Sequence, residues 1–138
     1  RTYAAAGTYT VVLTVTDNKG ASTSVSKAVT VGTTTGNVLT NGVAKTGLSG
    51  AKSSSQTFTL VVPAGATGLK FVTSGGTGDA DIYVKFGAAP TTTTYDCRSQ
   101  GSTNAETCSI TTAKAGTYYV MIRGYAAYSG LSLTGSFK

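Results

Sequence analysis

The chain has 138 residues, room for one ordinary domain or a domain and a fragment, and is 40% hydrophobic but only 12% charged. Its net charge of +6 comes from 11 basic and 5 acidic residues scattered along the chain, so no Lys/Arg block supplies a nucleic-acid footprint. No apolar run reaches the roughly 18 residues of a membrane span, and with no histidine neither a Ser-His-Asp triad nor an HExxH zinc site can be assembled. The polar remainder, mostly Thr, Ser and Gly, is the composition of many short strands joined by tight turns. The chain starts at Arg1 without a methionine or a signal peptide, which is expected of a piece of something larger.

In Thr8–Thr16, TYTVVLTVT, the residues Tyr9, Val11, Leu13 and Val15 alternate onto one face. Asp17-Asn18-Lys19-Gly20 is a turn with glycine where a positive φ is needed. Extended structure resumes from Ala21 to Val31 with Val25, Val29 and Val31 as its apolar positions. The pattern predicts a hairpin, which alone is marginal in water and is expected to pack on a second domain or pair with another chain. The run AAAGTYTVVLTVTDNKGASTSVSKAVTV within residues 2–31 resembles the last two strands of a PKD (polycystic kidney disease) domain, a β-sandwich of immunoglobulin type. Only about the final third of that family is matched, and its tryptophan-containing middle strand has no counterpart in a chain without tryptophan.

Residues 32–36, GTTTG, read as a linker. Val38–Gly50 is rich in turn signals. Ser55–Val62 is a strand with Phe58, Leu60 and Val62 on one face, closed by Pro63-Ala64-Gly65. Leu69–Thr73 gives another, with Leu69 and Phe71 inward. In GGTGDADIYVKFG, residues 75–87, a glycine-rich turn enters a strand whose Ile82, Val84 and Phe86 face the core, while Asp79 and Asp81 project to the opposite side. Ala88–Ala105 is the longest irregular segment. Gly116–Gly124 then places Tyr118, Val120 and Ile122 inward, and Leu131–Phe137 is the closing strand. No segment carries a 3.6-residue apolar period, so residues 37–138 predict seven or eight antiparallel strands in two packed sheets, an all-β, jelly-roll-like sandwich.

Cys97 and Cys108 read as a disulfide, and therefore as the mark of an exported protein. The alternative, two free thiols in a cytosolic protein, sits less well with the Thr/Ser-rich, charge-poor composition.

The segments NVLTNGV, FTLVVPAGATGLKFVTSGGTGDADIYVKFG, YDCRSQGSTNAETC and AGTYYVMIRGYAAYSGLSLTGSF, in that order, resemble the bacterial pre-peptidase C-terminal domain over residues 37–137. The resemblance implies a non-catalytic β-sandwich at the C-terminus of a secreted bacterial protease, of the zinc metalloprotease or subtilisin-like serine type, commonly removed after secretion. The implied partners are the parent catalytic domain and an insoluble polymer such as collagen, and the implied location is extracellular.

Asp79 and Asp81 are neighbours on one strand edge, not facing walls of a cleft, which argues against glycosidase chemistry. Asp17, Asp96 and Glu106 sit in turns or in the disulfide loop, where carboxylates usually bond backbone N–H groups. Paired carboxylates and turn carbonyls suit calcium, and likeness to the collagen-binding domains of clostridial collagenases adds Asn37 and Asn41 as ligands. Those domains use a run of acids that this chain lacks. In the structural alternative Asp79 caps the GGTG turn and Asp81 is hydrogen-bonded to a neighbouring strand. Tyr95, Tyr119, Tyr125 and Tyr128, with Arg123, are the candidates for gripping a polymer; alternatively these rings shield sheet edges. Three functions follow: a protease accessory domain for secretion, folding or substrate attachment; a module assembling through its hairpin edge; and a carbohydrate-binding domain.

Overall fold

A computed structural model describes residues 7–31 and 37–138, in two compact units, Arg1–Gly36 and Asn37–Lys138. The expected linker, residues 32–36, lies outside the described residues. Ten strands run through the described residues.

In the first unit β1 (Gly7–Thr16) and β2 (Ser22–Val31) pair antiparallel, from Gly7 opposite Val31 to Thr16 opposite Ser22. The turn forms because Asp17 Oδ1 accepts from the backbone N–H of Lys19 (2.9 Å) and Ala21 (2.8 Å). Val11, Leu13 and Val15 share an exposed face, with Leu13 opposite Val25. On the other face the Thr14–Ser24 and Thr16–Ser22 hydroxyl pairs meet at 2.8 Å.

The second unit is a sandwich of two four-stranded antiparallel sheets. One has the order β3 (Lys45–Gly50), β10 (Tyr128–Ser136), β5 (Leu69–Ser74), β8 (Glu106–Ile110); the other has β4 (Ser55–Val62), β9 (Gly116–Gly124), β6 (Ala80–Phe86), β7 (Cys97–Ser99). The chain changes sheet at every connection except β6 to β7, a jelly-roll-like path. Period-two alternation sends Phe58, Leu60, Val62, Phe71, Ile82, Val84, Tyr118, Val120, Ile122, Leu131 and Leu133 into one closed core between the sheets. The Cys97–Cys108 disulfide joins β7 to β8, edge strands of opposite sheets.

Two strands fall where turns or irregular chain are expected. β3 carries a single buried apolar residue, Leu48, and its register slips against β10, so no alternation announces it. β7 is only three residues long. β10 also begins at Tyr128, earlier than the expected Leu131, because an irregularity between Tyr128 and Leu131 turns both inward.

One end of the sandwich gathers the loops 75–79, 100–105 and 124–127. Asn104 Nδ2 donates to the carbonyls of Gly75 and Thr77, both at 3.0 Å. Thr77 and Ser129 exchange backbone bonds of 2.9 and 3.0 Å, and Ala126 N–H donates to Asp79 O at 3.0 Å. The approach is so close that a Cβ on Gly76 would collide with the Ser129 carbonyl oxygen, and one on Gly78 with that of Ala127. Both glycines also have positive φ, 69° and 98°.

Candidate functional site

Two features on the β4-β9-β6-β7 sheet carry polar chemistry: its solvent-side face and a cleft at its loop end. Alternation that sends Ile82 and Val84 inward sends Asp81, Tyr83 and Lys85 outward, and likewise Tyr119, Met121 and Arg123 of β9. In register, Arg123 lies beside Asp81, Met121 beside Tyr83 and Tyr119 beside Lys85, while Tyr83 faces Arg98 of β7.

Tyr95, in the loop before β7, leans edge-on against Tyr83, with centroids 5.7 Å apart and planes at 63°. The Arg98 guanidinium lies over the Tyr95 ring at 5.1 Å. Gln100 Nε2 donates to the Tyr83 hydroxyl at 2.7 Å. This cover leaves Tyr83 only 3% exposed on an outward face, and its burial, with the Asp81 charge, pushes its hydroxyl pKa up. At the other end of the face Val61 is 66% exposed.

The cleft has a volume of about 500 Å³ and is lined by Asp79, Asp81, Gln100, Gly101, Ser102 and Tyr125. Asp81 is 3% exposed, and its Oδ2 accepts from Gln100 Nε2 at 3.4 Å. Burial pushes its carboxyl above the usual carboxylate range; the Gln100 bond works against this, Asp79 and Glu106 add to it, and Arg123 opposes it. Asp79 Oδ1 is buried with no hydrogen-bond partner among the described residues. Tyr125, 68% exposed, forms the rim. Below the cleft, buried Glu106 accepts from the Gly101 N–H at 2.5 Å and from the Ser99 hydroxyl, fixing the turn after β7.

The residues singled out by sequence therefore part company. Tyr95, Tyr119 and Arg123 share the outer face without a contact among them in the described residues, and Asp79, Asp81 and Tyr125 line the cleft. Tyr128, expected as an exposed loop ring, is instead 3% exposed in β10, with its hydroxyl accepting from Gln56 Nε2 at 3.1 Å, because the strand irregularity points it into the core. Asn37 and Asn41 are not gathered with the two aspartates. Asn37 Nδ2 donates to Thr57 O at 2.9 Å, and Asn41 exchanges two bonds with the Phe137 backbone, which occupies its carbonyl oxygen. Among the described residues no group of three or more His, Cys, Asp or Glu side chains could hold a metal ion.

Of the structural alternative for the aspartates, Asp81 accepts from Gln100, one residue past β7, and not from a strand residue, and no side-chain hydrogen bond of Asp79 caps the glycine turn among the described residues. The other acids do bond backbone: Asp96 Oδ2 accepts from Phe86 N–H at 2.7 Å, and its Oδ1 pairs with Lys85 at 3.7 Å. Sequence reasoning missed Tyr83, Arg98 and Gln100. Tyr83 had a signal, since it lies two residues beyond Asp81 on the same side; Arg98 and Gln100 had none, because β7 is too short to show a period.

Comparison with known proteins agrees with this architecture. The bacterial pre-peptidase C-terminal domain matches residues 54–124, and a PKD domain matches residues 1–32. A zinc metalloprotease of Helicobacter pylori is 48% identical over 98 residues, covering 71% of this chain and 38% of that protein. The hemagglutinin/proteinase of Vibrio cholerae serotype O1 is also 48% identical over 98 residues, covering 71% of this chain and 16% of that protein. The solution structure of vEP C-ter 100 superposes with a TM-score of 0.60 at 43% identity, covering 71% of this chain and 96% of that one. The chain thus spans well under half the length of these protease relatives. On the family match, the shared fold and the 43% identity across nearly all of a solved relative, the chain belongs to the bacterial pre-peptidase C-terminal domain family, with a PKD-type segment at its N-terminus.

Proposed function

We propose that the chain is a non-catalytic accessory module that attaches a secreted zinc metalloprotease to an insoluble protein substrate such as collagen. The observation that carries the reading is the outer face of the β4-β9-β6-β7 sheet, where Tyr95, Tyr119, Arg98 and Arg123 present rings and guanidinium groups, with exposed Val61 at the far end of the same face. Rigid rings and planar cations supply contact area at low entropic cost, and an extended sheet face suits a rod-like or fibrous surface. The family membership supports the accessory role, and the metalloprotease class follows the name of the Helicobacter relative. The residues themselves argue against turnover: the chain has no histidine, and Asp17, Asp96 and Glu106 are all engaged with backbone N–H groups.

Retention of the purified chain on insoluble collagen, chitin and cellulose tests the reading. Retention on collagen, weakened about tenfold by Tyr119→Ser together with Arg98→Gln, is expected if the face makes the contact. Retention on chitin or cellulose alone would replace it with a carbohydrate-binding role, and collagen retention that ignores both substitutions would place the contact elsewhere. A parent gene encoding a Ser-His-Asp protease instead of an HExxH protein would overturn the metalloprotease assignment.

A further inference from the structure

We infer that the cleft between Asp79, Asp81 and Tyr125 is a pocket for a basic side chain, an arginine guanidinium or a lysine ammonium, presented by the polypeptide to which the sandwich attaches. The pocket chemistry stands on its own geometry, while the identity of the presenting chain rests on the attachment reading above.

Asp81 is 97% buried by its 3% exposure, yet a single bond of 3.4 Å reaches its Oδ2, and none reaches its Oδ1 among the described residues. Arg123 sits opposite it in register, but the ion pair within 4 Å among the described residues is Lys85–Asp96, so neither cleft aspartate has a cation that close. Two buried side-chain atoms have no partner among the described residues, Asp79 Oδ1 and Asn104 Oδ1. Both are acceptors; Asp79 lines the cleft, whereas Asn104 lines a separate depression between the 75–78 and 103–105 segments. A buried acceptor without a donor is costly, and a buried carboxylate without a cation more so. The ligand that fits such walls brings donors and positive charge.

Calcium takes six to eight oxygen ligands, and the cleft offers two carboxylates with no third acid in a metal-holding group. A volume of about 500 Å³ is that of a side-chain group with its water, not of a bare ion. Tyr125 adds a ring face, 68% exposed at the rim, over which a guanidinium or ammonium can lie. Arginine matches best, because its planar fork carries five donors toward carboxylates while its face stacks on a ring.

The test follows backbone amide resonances of the full chain during titration with acetyl-Gly-Arg-Gly-amide, its lysine counterpart, its neutral citrulline counterpart, and calcium chloride. Saturable shifts at Asp81, Gln100, Gly101, Ser102 and Tyr125 are expected with the arginine or lysine peptide. The citrulline peptide should bind roughly tenfold more weakly, the loss expected for a charge-assisted bond. Asp79→Asn and Tyr125→Ala should each weaken binding while leaving the melting temperature near that of the parent. Lowering the pH should also weaken it as Asp81, under the influence of Asp79, Glu106, Arg123 and Gln100, takes up a proton. Equal binding of the citrulline peptide, or shifts at these amides with calcium and none with the peptides, would overturn the pocket. Collagen retention without any peptide response overturns the pocket and leaves the attachment reading in place; a peptide response without retention supports the pocket and removes that reading.

Discussion

Cys97 and Cys108 hold their Cα atoms 5.8 Å apart across the gap between β7 and β8, so a covalent bond ties the edge of one sheet to the edge of the other. The bridge closes an 11-residue separation, and it anchors the strands that flank the Gln100–Ala105 loop of the cleft. Loop-closure entropy predicts that Cys97→Ala with Cys108→Ala lowers stability by about 3 kcal/mol in a denaturant titration. Reductant should lower the midpoint of the parent and leave the double variant unmoved; a parent that holds its midpoint in reductant while the variant stays destabilised would assign the loss to core packing around fully buried Cys108 instead.

A second prediction concerns the glycine turn that enters β6. Gly78 and Gly65 both have positive φ, 98° and 81°, yet a Cβ at Gly65 meets nothing within 4 Å while one at Gly78 runs into the Ala127 backbone. Gly65→Ala should therefore cost about 1 kcal/mol, the conformational penalty alone. Gly78→Ala should cost more than about 3 kcal/mol, because the Ala127–Tyr128 backbone at the entry to β10 would have to move. Equal costs, measured by thermal melting, would mean that the turn can shift away from Ala127.

The architecture was legible wherever a strand is long and one-sided. Ser55–Val62, Gly116–Gly124 and the Ile82–Phe86 run announce themselves by alternation, and the lack of any helical period left a sandwich as the economical solution. The site was only half legible. Asp79, Asp81 and Tyr125 stand out by residue type, but what makes them a cleft is the return of the 100–105 loop, held by the Asn104 bonds to Gly75 and Thr77 across separations of 29 and 27 residues. No local pattern encodes such a contact. Tyr128 shows the converse error: a tyrosine among small residues looks like a loop ring until an irregularity in the β3–β10 pairing turns it into the core.

Glu106 yields a third prediction. Its buried carboxylate accepts from the Gly101 N–H and the Ser99 hydroxyl, and a Cβ on Gly101 would come within 2.6 Å of Glu106 Oε1. Glu106→Ala should strand the Gly101 donor and cost about 2–4 kcal/mol, whereas Glu106→Gln keeps one acceptor and should cost less than half as much. Both are read by denaturant titration. A Gln variant as damaged as Ala would show that the charge, not the acceptor geometry, holds this turn.

Asp81 supplies the last prediction, a pH dependence whose sign follows from its surroundings. Burial is the largest influence on its carboxyl and raises its pKa, so the folded chain keeps the proton to a higher pH than the unfolded chain does. Such a group stabilises the fold fully below its unfolded pKa of about 3.9, and that contribution is lost as pH rises through the folded value. Asp81→Asn, which keeps the shape and cannot ionise, should therefore gain on the parent as pH rises from 4 toward 7. Melting temperatures of the two proteins across that range give the answer. A parent that instead gains on the variant with rising pH would mean that the ionised carboxylate is held by a cation in the fold, with Arg123, its neighbour in register, the first residue to exchange for glutamine.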